Sequence, residues 1–227
     1  MDFTDGLRVR AAVVQDYAHH DITRRSLRFA CAAFRKGFDM TPSTETYPID
    51  IAGLHRELPL FEVAAGTRIA VLNVLGDTEL VETASRALAA KLEAVDYSVL
   101  VTAEAKSIPL VHALSVATGK PYIVLRKNYK PYMGDALKAE TLSITTGQPQ
   151  TLFLDAKDRA LVDSANIVLL DDVISSGSTL QAMRAIMDRA GAHVAAETAI
   201  LTEGERENWH HIISLGHLPV FTDETAR

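Results

Sequence analysis

The chain of 227 residues is long enough to bury one large hydrophobic core. Its 29 acidic residues outnumber 23 basic ones, and the net charge of -6 argues against a protein that mainly coats nucleic acid or an anionic membrane. The single cysteine, Cys31, excludes an internal disulfide and a multi-cysteine metal site. With an acidic N-terminal segment and no apolar run of about 18 residues, the pattern predicts a soluble cytoplasmic protein.

The first 45 residues are predicted to form a helical extension that precedes a domain at 46–227. Apolar residues recur at helical spacing between Ile22 and Phe34, and Asp21 is available as an N-cap. Several arginines make this helix locally basic. A solvated face or a contact with a partner subunit explains them, with a nucleic-acid contact as the alternative.

Strand and helix patterns follow in a defined order. Apolar runs at 49–53, 58–63 and 68–75 predict antiparallel strands. Helical patterns then begin after Asp77 and end at Gly119 and Gly191, alternating with buried strands at 98–103, 121–126, 166–172 and 194–201. This alternation predicts an α/β fold with a central parallel sheet flanked by helices, and ligands at the carboxyl ends of its strands.

The segment at 127–154 interrupts this alternation. Residues 141–146 and 150–154 flank a Gly-Gln-Pro turn and predict a hairpin, whereas the residues before them lack clear periodicity. A connection this long inside a compact domain is usually a functional lid.

The strongest functional motif is IVLLDDVISSGSTL at 167–180. A buried strand ends in Asp171 and Asp172, and a turn of small residues then opens a helix. The free N–H groups of a helix start suit a phosphate, and Gly177 lets the backbone approach it. Because the carboxylates can accept hydrogen bonds from a sugar diol, the motif fits a sugar phosphate. The alternative is an ordinary strand–helix turn with solvated acids.

This motif closely resembles the site for 5-phosphoribosyl-1-pyrophosphate (PRPP) in type I phosphoribosyltransferases. The resemblance, which covers about residues 50–221, implies their fold, with a small hood and a flexible lid hairpin. It implies that Asp171 and Asp172 are catalytic and hold the ribose hydroxyls. The implied PRPP-binding segment continues through Val173, Ile174, Ser175, Ser176, Gly177, Ser178 and Thr179.

A second segment, at 101–127, is similar to the pyrophosphate loop of adenine and xanthine phosphoribosyltransferases. The likeness implies pyrophosphate contacts from Ala103, Glu104, Ala105 and Lys106. Lys106 replaces the usual Arg, and without the resemblance it would be a plain surface lysine. Ser107 replaces the usual Gly, so a loop that needs a positive φ there would be strained.

The lid adds three cations near the same pyrophosphate. Arg126, Lys127 and Lys130 stand at its start, and the resemblance implies that all three bind the pyrophosphate. Lys127 and Lys130 are expected to be catalytic, because cations there offset the negative charge of the leaving group. An ordinary basic loop is the alternative.

The resemblance implies an enzyme of purine salvage. It would join a purine base (adenine first, xanthine or another oxopurine next) to PRPP, giving a nucleoside 5′-monophosphate and pyrophosphate. Mg²⁺ is the implied cofactor, held mainly by PRPP with no direct protein ligand, and a homodimer without membrane or nucleic-acid partners is the implied assembly. The alternative is a non-catalytic, PRPP- or purine-sensing transcriptional regulator. Such regulators carry an N-terminal winged helix, and the first 45 residues are short for that module.

Weaker signals concern the base. Trp209 is interpreted as a packing residue, with stacking on the base as the alternative. Phe221 or Leu218 is expected near the base pocket, and Asp135 or Glu140 is a candidate general acid.

Overall fold

The structure is a computed structural model that describes residues 45–142 and 149–222. The helical extension expected at 1–45 lies outside the described residues, apart from residue 45. Within those two ranges, no helix combines the length and the apolar character that crossing a membrane requires.

A four-stranded antiparallel sheet forms the hood. Its strands run in the order β1-β2-β3-β11, with bounds Thr46–Ile51 (β1), Leu54–Ala64 (β2), Thr67–Ala70 (β3) and Val220–Thr222 (β11). The antiparallel strands predicted from 49 onward are thus confirmed, although β3 ends at Ala70 rather than continuing to residue 75.

A five-stranded parallel sheet forms the centre of the fold. Its order is β10-β9-β8-β4-β5, and all four pairings are parallel. The bounds are Val99–Ala103 (β4), Tyr122–Leu125 (β5), Asn166–Ile174 (β8), His193–Glu203 (β9) and Ile213–Leu218 (β10). The α/β prediction is confirmed.

Helices cover both faces of the central sheet. They are Thr78–Leu92 (α1), Ile108–Thr118 (α2), the single turn Arg159–Val162 (α3) and Ser178–Arg189 (α4). The side chains of β8 alternate between two core clusters, since Val168 and Leu170 pack with α1 and α2, whereas Ile167 and Leu169 pack with α4. The same alternation determines to which face of the sheet each side chain near the carboxyl end of β8 points.

Local signals set the ends of these helices. The Asp77 carboxylate accepts a 3.0 Å hydrogen bond from the Leu80 N–H and caps α1. Gly119 ends α2 in the left-handed conformation with a φ of +67°. Both ends agree with the sequence prediction.

The hairpin of the lid begins earlier than expected. Leu137–Leu142 (β6) pairs with Pro149–Leu154 (β7), so residues 137–140, which show no clear periodicity in the sequence, are part of a strand. Ala139, Leu152 and Leu154 are buried in the core cluster on the α4 face, and that packing defines the strand. The base of the hairpin is therefore anchored, and its flexibility stays a prediction.

Candidate active site

The two acids lie within β8 rather than at its end. The strand continues past Asp171 and Asp172 to Ile174, because its pairing with β9 continues to Ile174 and Thr202. The side chain of Ile174 is buried in one core cluster, and that of Val173 packs against the other. The PRPP contacts predicted for this segment stay predictions.

A serine from another element joins the two carboxyl groups. The Ser107 hydroxyl lies 2.7 Å from Oδ1 of Asp171 and 3.2 Å from Oδ1 of Asp172. The Asp172 N–H in turn donates to Ser107 Oγ at 3.1 Å and to Asp171 Oδ1 at 2.9 Å. Ser107 follows β4, which pairs with β8, and the start of α2 thus contacts the acids of the neighbouring strand.

Lys106 faces the same acid pair. Its Nζ lies 3.0 Å from Oδ2 of Asp172 and also donates to the Leu72 carbonyl oxygen at 3.0 Å. That Oδ2 atom is buried and accepts no well-aligned hydrogen bond from the described residues, so within them its charge is compensated by the Lys106 ion pair.

Burial makes Asp171 a weaker acid than an ordinary aspartate. Desolvation of its carboxyl group, reinforced by the neighbouring Asp172 carboxylate, raises the pKa of Asp171 to about 7. The hydrogen bond from Ser107 opposes this shift, because it stabilises the ionised form. Asp171 therefore changes its charge near neutral pH.

The small-residue turn at 175–179 connects β8 to α4. Ser175 and Ser176 are exposed, and Gly177 precedes α4 with a φ of +72°. The hydroxyls of Ser176 and Ser178 are 3.1 Å apart. A twelve-residue helix begins at Ser178, so its first backbone N–H groups follow the carboxyl end of β8, and the Ser178 N–H donates to Ser176 Oγ at 3.4 Å.

Trp209 packs against this turn. Atom Cη2 of its indole lies 2.9 Å from the position that a Cβ at Gly177 would take, and its Nε1–H donates to the Glu203 carbonyl oxygen at 2.8 Å. These contacts agree with the packing role that the sequence favours for Trp209. A side chain at position 177 would collide with the indole.

The predicted pyrophosphate loop follows β4. Ala103 is buried at the strand end, Ala105 and Lys106 are exposed, and the Glu104–Ala105 peptide bond is cis. Glu104 accepts a hydrogen bond from the Lys127 N–H at 2.8 Å and pairs with the Arg126 guanidinium. This carboxylate ties the ends of β4 and β5 together.

The three cations of the lid have different surroundings. Arg126 is paired with Glu104 and donates to the Tyr132 hydroxyl at 3.3 Å, and these hydrogen bonds raise its pKa. Lys127 and Lys130 are exposed, just beyond the carboxyl end of β5. The side chains of Lys127 and Lys130 are thus more exposed to solvent than that of Arg126.

The candidate general acids are engaged in ion pairs. Asp135 lies 3.4 Å from the Arg159 guanidinium, and Glu140 pairs with Lys138 on its own strand. These contacts leave the choice between Asp135 and Glu140 open.

A cleft of about 740 Å³ lies between the hood and the carboxyl end of β9. Residues of both parts line it: Tyr47, Gly204, Glu205, Arg206, Glu207, His217, Pro219 and Val220. His217 donates from Nε2 to the Gly204 carbonyl oxygen and accepts at Nδ1 from the Thr202 hydroxyl, both at 2.9 Å. This pattern is that of a neutral imidazole, and burial lowers the pKa of His217 accordingly. Leu218, by contrast, is fully buried in the core.

Sequence reasoning missed two features of the site. Ser107 was expected only as a strained substitute for glycine, but its φ is -80°, an ordinary value for serine. The contact of Trp209 with Gly177 joins two loops that are distant in sequence. Neither contact has a local signal, since both are made between separate elements.

Comparison with known proteins finds relatives that match part of the chain. No family model matches the chain. It is 35% identical over 109 residues to a hypoxanthine/guanine phosphoribosyltransferase of Methanococcus vannielii, covering 48% of this chain and 55% of the relative. It is 34% identical over 118 residues to the protein of that name from Methanococcus maripaludis, covering 52% and 60%. The matches thus span little more than half the length of these curated relatives.

Solved structures extend the likeness to the fold. Adenine phosphoribosyltransferase from Thermoanaerobacter pseudethanolicus aligns with a TM-score of 0.54 at 18% identity, over 76% of this chain and 95% of that one. The enzyme from Giardia lamblia, complexed with 9-deazaadenine, aligns with a TM-score of 0.55 at 16% identity, over 76% and 93%.

The chain is similar in sequence to hypoxanthine/guanine phosphoribosyltransferases and shares the fold of the adenine phosphoribosyltransferases. The fold implied by the resemblance of the motifs at 101–127 and 167–180 is therefore confirmed. The phosphoribosyltransferase fold explains why both motifs follow parallel strands, since the carboxyl ends of β4 and β8 meet at one edge of the sheet.

Proposed function

We propose that the protein is a purine phosphoribosyltransferase, which joins a purine base to C1 of PRPP and releases pyrophosphate. The observation that carries this proposal is the pair Asp171 and Asp172, which lies near the end of β8 and is separated by two residues from the turn at 175–179. One strand and its turn thus present two acceptors for a diol and a phosphate cradle.

The ribose 5-phosphate part of the substrate fits this arrangement. Ionised carboxyl groups of Asp171 and Asp172 would accept hydrogen bonds from the 2′- and 3′-hydroxyls. The backbone N–H groups around Gly177 and the start of α4 would hold the 5′-phosphate. Fixing the ribose at both ends orients C1 for attack by the base, which is the main task of such an enzyme.

The pyrophosphate would lie between the loop after β4 and the lid. Lys106, Lys127 and Lys130 supply cations on that side, and Arg126 fixes Glu104 beneath them. As the C1–O bond breaks, negative charge builds up on the leaving group, and nearby cations stabilise it. Lys106 would exchange Asp172 for the pyrophosphate when PRPP binds.

Mg²⁺ fits a site that would bring the carboxyl groups of Asp171 and Asp172 together with the diphosphate of PRPP. Among the described residues, His, Cys, Asp and Glu side chains form no cluster of three that would hold a metal, and we assign the ion to the phosphate oxygens of PRPP itself. When bound, Mg²⁺ neutralises charge on the diphosphate.

The cleft beneath the hood is proposed to take the base. It lies at the carboxyl end of β9, next to the strand that carries the acids, and is large enough for a purine. Adenine is our first candidate, and hypoxanthine, guanine and xanthine belong in the same test. We further propose a cytoplasmic homodimer.

Pyrophosphate release from PRPP and Mg²⁺ with each of these bases tests the proposal. Asp171→Asn combined with Asp172→Asn should lower kcat/KM by about 100-fold or more, since two charge-assisted hydrogen bonds are weakened. Asp188→Asn, on the exposed side of α4, is the matched control and should keep wild-type activity. PRPP binding without release with any base would favour the PRPP-sensing regulator, and wild-type turnover by the double variant would refute the ribose assignment.

A further inference from the structure

Ser107 has an unusual position for a serine at the start of a helix. It occupies the N-cap position of α2, but its side chain makes no capping hydrogen bond. The side chain is 1% exposed and reaches the acids of β8 instead. Because the Ser107 hydroxyl makes no local capping bond and instead contacts a residue 64 positions away, we take its position to serve the acids.

The geometry defines what the hydroxyl does. A hydroxyl has one proton, and the shorter contact, 2.7 Å to Asp171 Oδ1, is its preferred acceptor. Its oxygen accepts the Asp172 N–H at 3.1 Å, so the same atom is bonded to both residues. Rotation of the Asp171 carboxyl group would break the first bond, and movement of the β8 backbone would break the second.

We propose that Ser107 is a positioning residue, which holds the carboxyl groups of Asp171 and Asp172 in the orientation that receives the ribose hydroxyls. This role rests on the proposed function and adds a residue to it. Lys106 holds Oδ2 of Asp172, whereas Oδ1 of Asp171 accepts hydrogen bonds from the Ser107 hydroxyl and from the Asp172 N–H. Ser107 therefore supplies a side-chain donor to Asp171.

The consequence is specific to the sugar. Ser107 touches the acids and not the turn at 175–179, so its loss should weaken binding of the ribose hydroxyls and leave the phosphate unaffected. Inorganic phosphate and ribose 5-phosphate differ by that sugar, and they separate the two parts of the site without any catalytic step.

Isothermal titration calorimetry on the full chain, with Mg²⁺, tests this role. Ser107→Ala should raise the Kd of ribose 5-phosphate about ten-fold, the effect of one hydrogen bond to a charged group, and change the Kd of inorganic phosphate less than two-fold. Ser115→Ala is the matched control, because Ser115 lies on the same helix and its hydroxyl donates to the Lys120 carbonyl oxygen at 2.6 Å. It should bind both ligands as the wild type does.

Ser107→Cys keeps a side chain of similar shape but a weak donor, and it gives the same comparison if the alanine variant does not fold. Equal Kd values for ribose 5-phosphate in wild type and variant would overturn the proposal. An equal loss for both ligands would also overturn it, because it would reveal a general structural defect. A wild type that binds neither ligand would refute the proposed function itself.

Discussion

Replacing Gly177 with alanine should destabilise the protein by more than an alanine at a left-handed glycine normally does. Gly177 has a φ of +72°, and a Cβ there would lie 2.9 Å from Cη2 of Trp209. Gly119 offers a matched control within the chain, since its φ is +67° and a Cβ there would meet nothing within 4 Å.

The expected magnitudes follow from these two geometries. The left-handed conformation costs an alanine about 1 kcal/mol, so we expect Gly119→Ala to lower the free energy of unfolding by about that amount. At position 177 the collision adds about 1–3 kcal/mol of overpacking. The indole has little freedom to retreat, because its Nε1–H is bonded to the Glu203 carbonyl oxygen and its ring packs on the core. We therefore expect Gly177→Ala to cost about 2–4 kcal/mol.

Urea unfolding monitored by circular dichroism measures both values. A Trp209→Leu background separates the two contributions, because removal of the indole relieves the collision but leaves the strain at φ. In that background the cost of Gly177→Ala should fall to that of Gly119→Ala. Equal costs of the two alanine substitutions in the wild-type background would refute the reasoning, since the indole would then not constrain the turn.

Three further predictions concern the lid, the acid pair and the assembly. Lys127→Ala and Lys130→Ala should each lower kcat roughly ten- to a hundred-fold with little change in the KM for PRPP. Substitution of the exposed Lys91 by alanine is the control. Full kcat in both lid variants would contradict the charge-stabilising role. Because burial raises the pKa of Asp171 above its ordinary value of 3.8 to about 7, the contribution of this carboxyl group to stability is complete below about pH 4 and is lost as pH rises through 7. Asp171→Asn should remove that part of the pH dependence of the unfolding midpoint, and an unchanged dependence would argue against the raised pKa. Light scattering should give at least twice the 24.7 kDa of one chain, and a monomer at micromolar concentration would exclude the homodimer.

Much of the fold could be predicted from the sequence, because its signals are local. The apolar run at 166–172 predicts a buried strand whatever its neighbours are, and Asp77, Gly119 and Gly191 mark helix ends through the backbone groups beside them. The acid pair and the small-residue turn stand within one motif, so their proximity follows from the chain itself.

The contacts that complete the site were decided by the tertiary structure. Parallel pairing of β4 with β8 brings Ser107 to Asp171 and Lys106 to Asp172, and the turn after β9 brings Trp209 onto Gly177. In each case the partners belong to separate elements, and no pattern within either element encodes the other. The sequence by itself thus determined the acid pair and the small-residue turn of one motif, whereas the packing of the sheet brought Ser107 to the acids and set the directions of these side chains, because side-chain direction depends on long-range burial that local propensity does not specify.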